Sequence, residues 1–183
     1  NLINFAQGAL FMLGAFFAFS GVTLLGLPLW VAAIGSIALV TLLGMVLEGV
    51  ALRPLENGPY IAPVLSTLAI ALIVDQLAEI IWSPEGQAFP LPFDEVTFFI
   101  GNAYFTSTDL LIFVFGGLTA LALTWFLASS WMGRTVRATA QDRDAAAQMG
   151  VRTGDVRRLA FALAGTLGAI SGILVALYFK SVF

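Results

Sequence analysis

Apolar residues fill this chain in long blocks, and polar positions gather in the gaps between them. From Phe5 to Leu47 no charge interrupts the run, which is about twice the roughly 20 residues that one membrane-spanning helix needs. Gly26 and Pro28 are its natural breakers, and Pro28 suits a helix start. The run therefore divides into spans near 5–23 and 29–50, with Trp30 at an interface position. Glu48, Arg53 and Pro54 close the second span, and Pro54 disfavours helix at Arg53. A short polar loop with Asn57, Gly58 and Pro59 leads into a third span near 61–82. Residues 83–108 are broken by Pro84, Gly86, Pro90 and Pro92. Within that loop Val96 to Thr106 reads as two β-prone runs joined at Gly101-Asn102, a hairpin signal. Spans four and five, near 109–131 and 159–179, flank a polar stretch at 132–158.

Composition settles which solvent these blocks face. Hydrophobic residues make up 60% of the 183 and charged residues 10%, against roughly 25% charged in a soluble domain. A soluble fold of this size cannot hide so much apolar surface, so the expected class is an all-α integral membrane protein. One transmembrane domain would cover 1–183, with about five spans and a short β-hairpin-like external loop. Cysteine and histidine are both absent. That excludes disulfides, thiolate or imidazole metal sites, and mechanisms with Cys or His as nucleophile or base. Ser66-Thr67 has no evident base beside it, so no catalytic, cofactor-binding or metal constellation is expected. No secretory signal is visible ahead of the first span, and Asn1 is not an initiator Met, so the chain reads as a portion of a longer one.

Charge placement gives an orientation. Arg53 sits in loop 51–60, and six arginines sit in loop 132–158, at 134, 137, 143, 152, 157 and 158. Loop 83–108 carries only acids, so the first two loops are expected to be cytoplasmic and the third external. Lys180 is the exception. Arg157 and Arg158 stand at a helix N-terminus, where the macrodipole disfavours cations; cytoplasmic anchoring with snorkelling stems accounts for them.

Three patterns inside the spans carry possible chemistry. Asn1, Asn4 and Gln7 recur every three residues and put amides on roughly one helix face, either as interhelical glue or as a substrate path. Asp75 and Glu79, four apart with Gln76 between them, share a face of the third span, where acids suggest proton or ion handling. Ala160, Ala164, Gly168, Gly172 and Ala176 form a small-residue stripe suited to close helix packing, with Gly165 and Ala169 beside it.

The loop between spans four and five is Ala-rich from Thr135 to Met149 and reads as one helix, with Gly150 as its C′ residue. Thr153 or Asp155 is placed to cap the next helix. Asp144-Ala145-Ala146, three residues, then Gly150 is similar to the EAA-xxx-G loop of ABC-importer permeases. Ile3 to Phe16, Leu47 to Leu55, Leu65 to Leu72, Met132 to Val151 and Gly154 to Leu174 follow in order the stretches of one family. The chain resembles the branched-chain amino acid ABC-transporter permeases of the LivH class over nearly its whole length. The I-x-L-P tail of many other importers is absent, since Ala160-Phe161-Ala162-Leu163 stands there. Members of that family are longer at both ends.

That resemblance implies a channel-forming subunit in a bacterial inner membrane, paired with a second permease. Its other partners would be two cytoplasmic ATPases and a periplasmic substrate-binding protein, with membrane lipid around it and no nucleic acid. Arg134, Arg137, Asp144, Ala145, Ala146 and Gly150 would then couple to the ATPase, and Asn4, Gln7, Ser66 and Thr67 would line the pathway. Ala164, Gly168 and Gly172 would pack helices. The chain has no Walker loop, so it would bind no cofactor itself and ATP would be used by the partners. The competing reading from the residues is a proton-coupled carrier using Asp75 and Glu79.

Overall fold

A computed structural model describes residues 4–55, 58–59, 61–83, 85–90, 96–100 and 103–182. Asn1, Asn57, Pro84, Pro92 and the Gly101-Asn102 turn lie outside them. Five apolar helices make up most of the chain: α1 (Gln7–Thr23), α2 (Leu29–Leu47), α3 (Ile61–Trp82), α4 (Ser107–Ser129) and α7 (Thr153–Phe179). Two shorter helices, α5 (Trp131–Gln141) and α6 (Arg143–Gln148), join α4 to α7. Four helical stretches, Leu29–Leu55, Ile61–Trp82, Ser107–Ser129 and Thr153–Phe179, are long and apolar enough to cross a membrane. With 17 residues, α1 reaches about 25 Å at the usual rise, short of a roughly 30 Å hydrocarbon core.

Between α1 and α2 the chain turns at Gly26, whose φ is +62°. Glycine takes that left-handed conformation without a Cβ clash. The second helix does not stop at its acid. It widens into a π-helical turn over Glu48–Leu52 and tightens into a 3₁₀ turn over Arg53–Leu55, so Arg53 keeps helical geometry (φ −58°, ψ −43°) against the expectation from Pro54.

The centre of the molecule is the three-helix unit α1–α2–α7. Small residues bring these backbones together. A Cβ on Gly165 would stand 2.7 Å from the Val40 carbonyl oxygen, and one on Gly44 would stand 2.7 Å from that of Phe161. On the α1 side, Gly172 abuts the Phe11 carbonyl and Gly14 abuts the Ala169 backbone. Polar groups buried here are bonded across helices, as an apolar solvent demands. The Ser36 hydroxyl donates to the Gly14 carbonyl at 2.7 Å, and Thr41 and Thr166 share a bond of 2.8 Å.

Helix α3 leans on α1 through Trp82, whose ring stacks on Phe16 at 5.0 Å and whose Nε1–H donates to Ser20 Oγ at 2.6 Å. Next to that end, the short strand β1 (Gln87–Ala88) pairs antiparallel with β4 (Ser181–Val182). Strands β2 (Thr97–Ile100) and β3 (Ala103–Thr106) pair antiparallel ahead of α4. Thr106 and Asp109 start α4 with a reciprocal capping box. Along its length α4 exposes Leu110, Phe113, Phe115, Leu121 and Trp125. A helix apolar on every side suits lipid or further helices rather than water.

Candidate functional site

Arg53, the six loop arginines and the helix ends beside them gather at one end of the molecule. Here α4 reverses into α5 around Ser130, whose Oγ accepts from Gly133 N–H at 2.8 Å. Gly133 fits against the Phe126 and Leu127 backbone, where a Cβ has no room. The loop expected as one helix from Thr135 to Met149 is two. Asp142 leaves helical geometry at φ −149°, ψ 112°, and its carboxylate accepts from the N–H groups of Asp144 and Ala145 at 2.9 and 3.0 Å. An aspartate that can satisfy two orphan amides competes with the continuous helix and starts a new one.

Helix α6 ends in a Schellman arrangement. Val151 N–H donates to the Ala146 carbonyl and Gly150 N–H to that of Ala147, each at 3.0 Å, with Gly150 at φ +86°. This pattern needs a left-handed residue at that point, and glycine supplies it. The chain then enters α7 within three residues. Neither expected cap serves there: Arg152 is the N-cap and makes no side-chain capping bond.

The candidate coupling residues divide by exposure. Asp144, Ala145 and Gly150 face outward, Met149 is 86% exposed, and Ala146 is buried against its own chain. Arg134 lies over the Trp131 ring at 5.5 Å. Arg137 donates from Nη1 to the Leu127 carbonyl, placing a cation at the negative end of α4. Between α5 and α7 open two clefts of about 590 and 540 Å³. Trp131, Met132, Met149 and Leu159 give the first an apolar floor, with Arg134 and Arg152 beside them. Asn4, Gln7, Arg143 and Arg157 line the second.

The four pathway candidates do not share one cavity. Asn4 and Gln7 border the second cleft, but Gln7 Nε2 donates to the Ala164 carbonyl at 3.1 Å and Asn4 Oδ1 accepts from Ala6 N–H. Ser66 donates to the Ala51 carbonyl at 3.1 Å. Buried Thr67 donates to the Val64 carbonyl and accepts from Phe5 N–H at 3.3 Å. Gln7, Ser66 and Thr67 each spend a polar group on holding separate segments together, while Asn4 bonds within its own turn. Of the packing candidates, Gly168 and Gly172 are buried against α1 and Ala164 is partly buried. Asp75 and Glu79 are exposed on α3 and border none of the clefts.

Sequence reasoning missed one constellation. Glu48, 0% exposed, sits at the first position of the π turn. Arg157 Nε meets its Oε1 at 2.5 Å, and Arg158 Nε lies 3.5 Å from Oε2. Arg157, read as an interface anchor, is therefore held by a buried carboxylate 109 residues away, with Arg158 beside the same carboxylate. A charge withdrawn from water needs such a partner, and this attraction outweighs the unfavourable helix-dipole position of the arginines. The signal in the sequence was a single acid closing an apolar span, with two cations that no helix end explained.

Comparison with known proteins agrees with this architecture. The family model described as the branched-chain amino acid transport system permease component matches residues 1–183. The chain belongs to that permease family. Among its relatives, the high-affinity branched-chain amino acid transport system permease protein BraD of Pseudomonas aeruginosa is 28% identical over 98% of this chain and 62% of its own length. The corresponding LivH proteins of Salmonella typhimurium and Escherichia coli K12 are also 28% identical, with the same coverage. The autoinducer 2 import system permease protein LsrC of Yersinia pseudotuberculosis is 39% identical over 59 residues, 32% of this chain and 17% of its own. No solved structure matches. The chain spans 62% of the length of the relatives that it matches throughout. For a member of this permease family, the apolar helices make a multi-pass membrane protein.

Proposed function

We propose that this chain is a membrane-spanning subunit of an ATP-binding-cassette importer, carrying branched-chain or related amino acids across a bacterial inner membrane. The observation that carries the reading is the outward-facing α6, held by Asp142 at one end and Gly150 at the other, and feeding directly into α7. A short capped helix ahead of the central packing helix is suited to receive a push from outside the membrane. With the arginine-rich end cytoplasmic, Asp144, Ala145 and Gly150 would meet an ATPase. Closure of the paired ATPases would then shift the α1–α2–α7 unit as a rigid body in alternating access. A second permease and a periplasmic binding protein would complete the assembly, and hydrolysis of ATP would belong to the partners.

The test is co-purification of the full-length permease with its neighbouring ATPase subunits, followed by leucine uptake into proteoliposomes. Ala145→Glu adds bulk and charge on the outward face, and Gly150→Pro removes the left-handed exit. Both are expected to abolish ATPase binding and uptake, while the permease still inserts. Unchanged binding in both variants refutes the assignment.

A further inference from the structure

Glu48 ends an apolar span yet is wholly withdrawn from water. Arg157, with a side chain 12% exposed, stands in the first turns of α7, where the dipole disfavours it. Neither helix would place these groups there on its own account, so the contact between them decides both positions. The π turn that begins at Glu48 adds one residue to the helical repeat, and such turns are frequent at functional sites. Its next residues tie in a third helix, since the Ala51 carbonyl accepts from Ser66 on α3. Helix α6 hands over to α7 at Arg152 and Thr153, and Arg157 follows about 6 Å further along the helix axis.

We propose that Glu48 and Arg157 are positioning residues that transmit displacement of α6 to the membrane helices. This rests on the coupling role proposed for α6. A shift of α6 arrives at the uncapped first turn of α7, a point where a helix readily frays. The ion pair clamps that turn to α2, and through the π turn to α3, so the load moves the bundle instead of unwinding α7. Arg158 beside Oε2, which makes no hydrogen bond, gives the carboxylate a second cation to lean on while the helices slide. Arg53 and Asp155 share the polar cleft of about 330 Å³ around the pair, so water can follow the motion.

The experiment uses the full-length permease assembled with its ATPases and binding protein in proteoliposomes, with leucine uptake and ATP hydrolysis read in the same vesicles. In Glu48→Gln and Arg157→Gln the leucine moved per ATP is expected to fall roughly tenfold, within the range by which coupling mutations act. Co-purification of the ATPases and ATP hydrolysis should persist, and Arg157→Lys should recover much of the ratio. An unchanged ratio in either glutamine variant overturns the proposal. So does loss of the assembled complex in both, which would make the pair a plain stability element. A wild-type assembly that hydrolyses ATP without leucine uptake removes the proposed function, and the transmission role with it.

Discussion

Substituting Gly172 by alanine tests whether backbone contact between α1 and α7 holds the central unit together. The added methyl would fall on the Phe11 carbonyl oxygen, with the Ala15 amide nitrogen 3.3 Å away. A backbone carbonyl in mid-helix cannot rotate aside, so the helices must part by on the order of 1 Å. Such a gap forfeits a quarter to a half of each contact worth about 0.1–0.2 kcal/mol, and a few tens of atom pairs line a helix seam. The expected loss is therefore about 1–3 kcal/mol, the usual cost of overpacking. At Gly168 the nearest atom is Gln7 Nε2, at 3.2 Å. The Phe11 backbone nitrogen follows at 3.3 Å, so a shift of a few tenths of an ångström suffices and Gly168→Ala should cost about 1 kcal/mol, less than Gly172→Ala. Gly35 has nothing within 4 Å, and Gly35→Ala should gain about 0.5–1 kcal/mol from helix propensity alone. Unfolding in mixed micelles titrated with dodecyl sulfate, followed by tryptophan emission, ranks the three. Equal midpoints for Gly172→Ala and Gly35→Ala would refute the idea that backbone contact sets the packing.

Other expected outcomes follow from single contacts. Ser36→Ala removes the bond to the Gly14 carbonyl and should cost about 0.6–1.5 kcal/mol in the same titration. Asp142→Ala deprives α6 of its cap and should destabilise it locally by about 0.5–2 kcal/mol, seen as faster amide exchange at Asp144 and Ala145 with α7 unaffected. Gly133→Ala has no room against Leu127, and should splay the α4–α5 turn enough to raise protease cleavage between them. Asp75→Asn should leave leucine uptake and its pH profile unchanged; a strong loss would favour the proton-coupled carrier.

The apolar helices were legible because lipid leaves the backbone no choice but internal bonding, so hydropathy alone marks where helix must form. The family resemblance was legible for a different reason, since its motifs are local strings. What escaped was whatever two distant segments decide between them. Asp142 looked like one polar residue in an Ala-rich helix until its side chain was seen to hold two amides. Arg157 and Arg158 lacked a visible partner because Glu48 lies on another helix. Gln7, Ser66 and Thr67 had the composition of a pathway, but each bonds the backbone of another segment, at Ala164, Ala51 and Phe5. The pairing of Gln87–Ala88 with Ser181–Val182 joins two segments whose sequences carry no strand signal long enough to notice.

The pairing of Glu48 with Arg157 also has a consequence for biogenesis. The ribosome makes α2 about a hundred residues before it makes α7, a delay of roughly 5–20 s at ordinary elongation rates. Throughout that interval Glu48 has neither Arg157 nor Arg158 to meet. Helix α7 therefore does more than fill a packing seam. Closure of the Glu48–Arg157 pair waits for its synthesis, so the join between α2 and α7 forms after α2 by at least that delay.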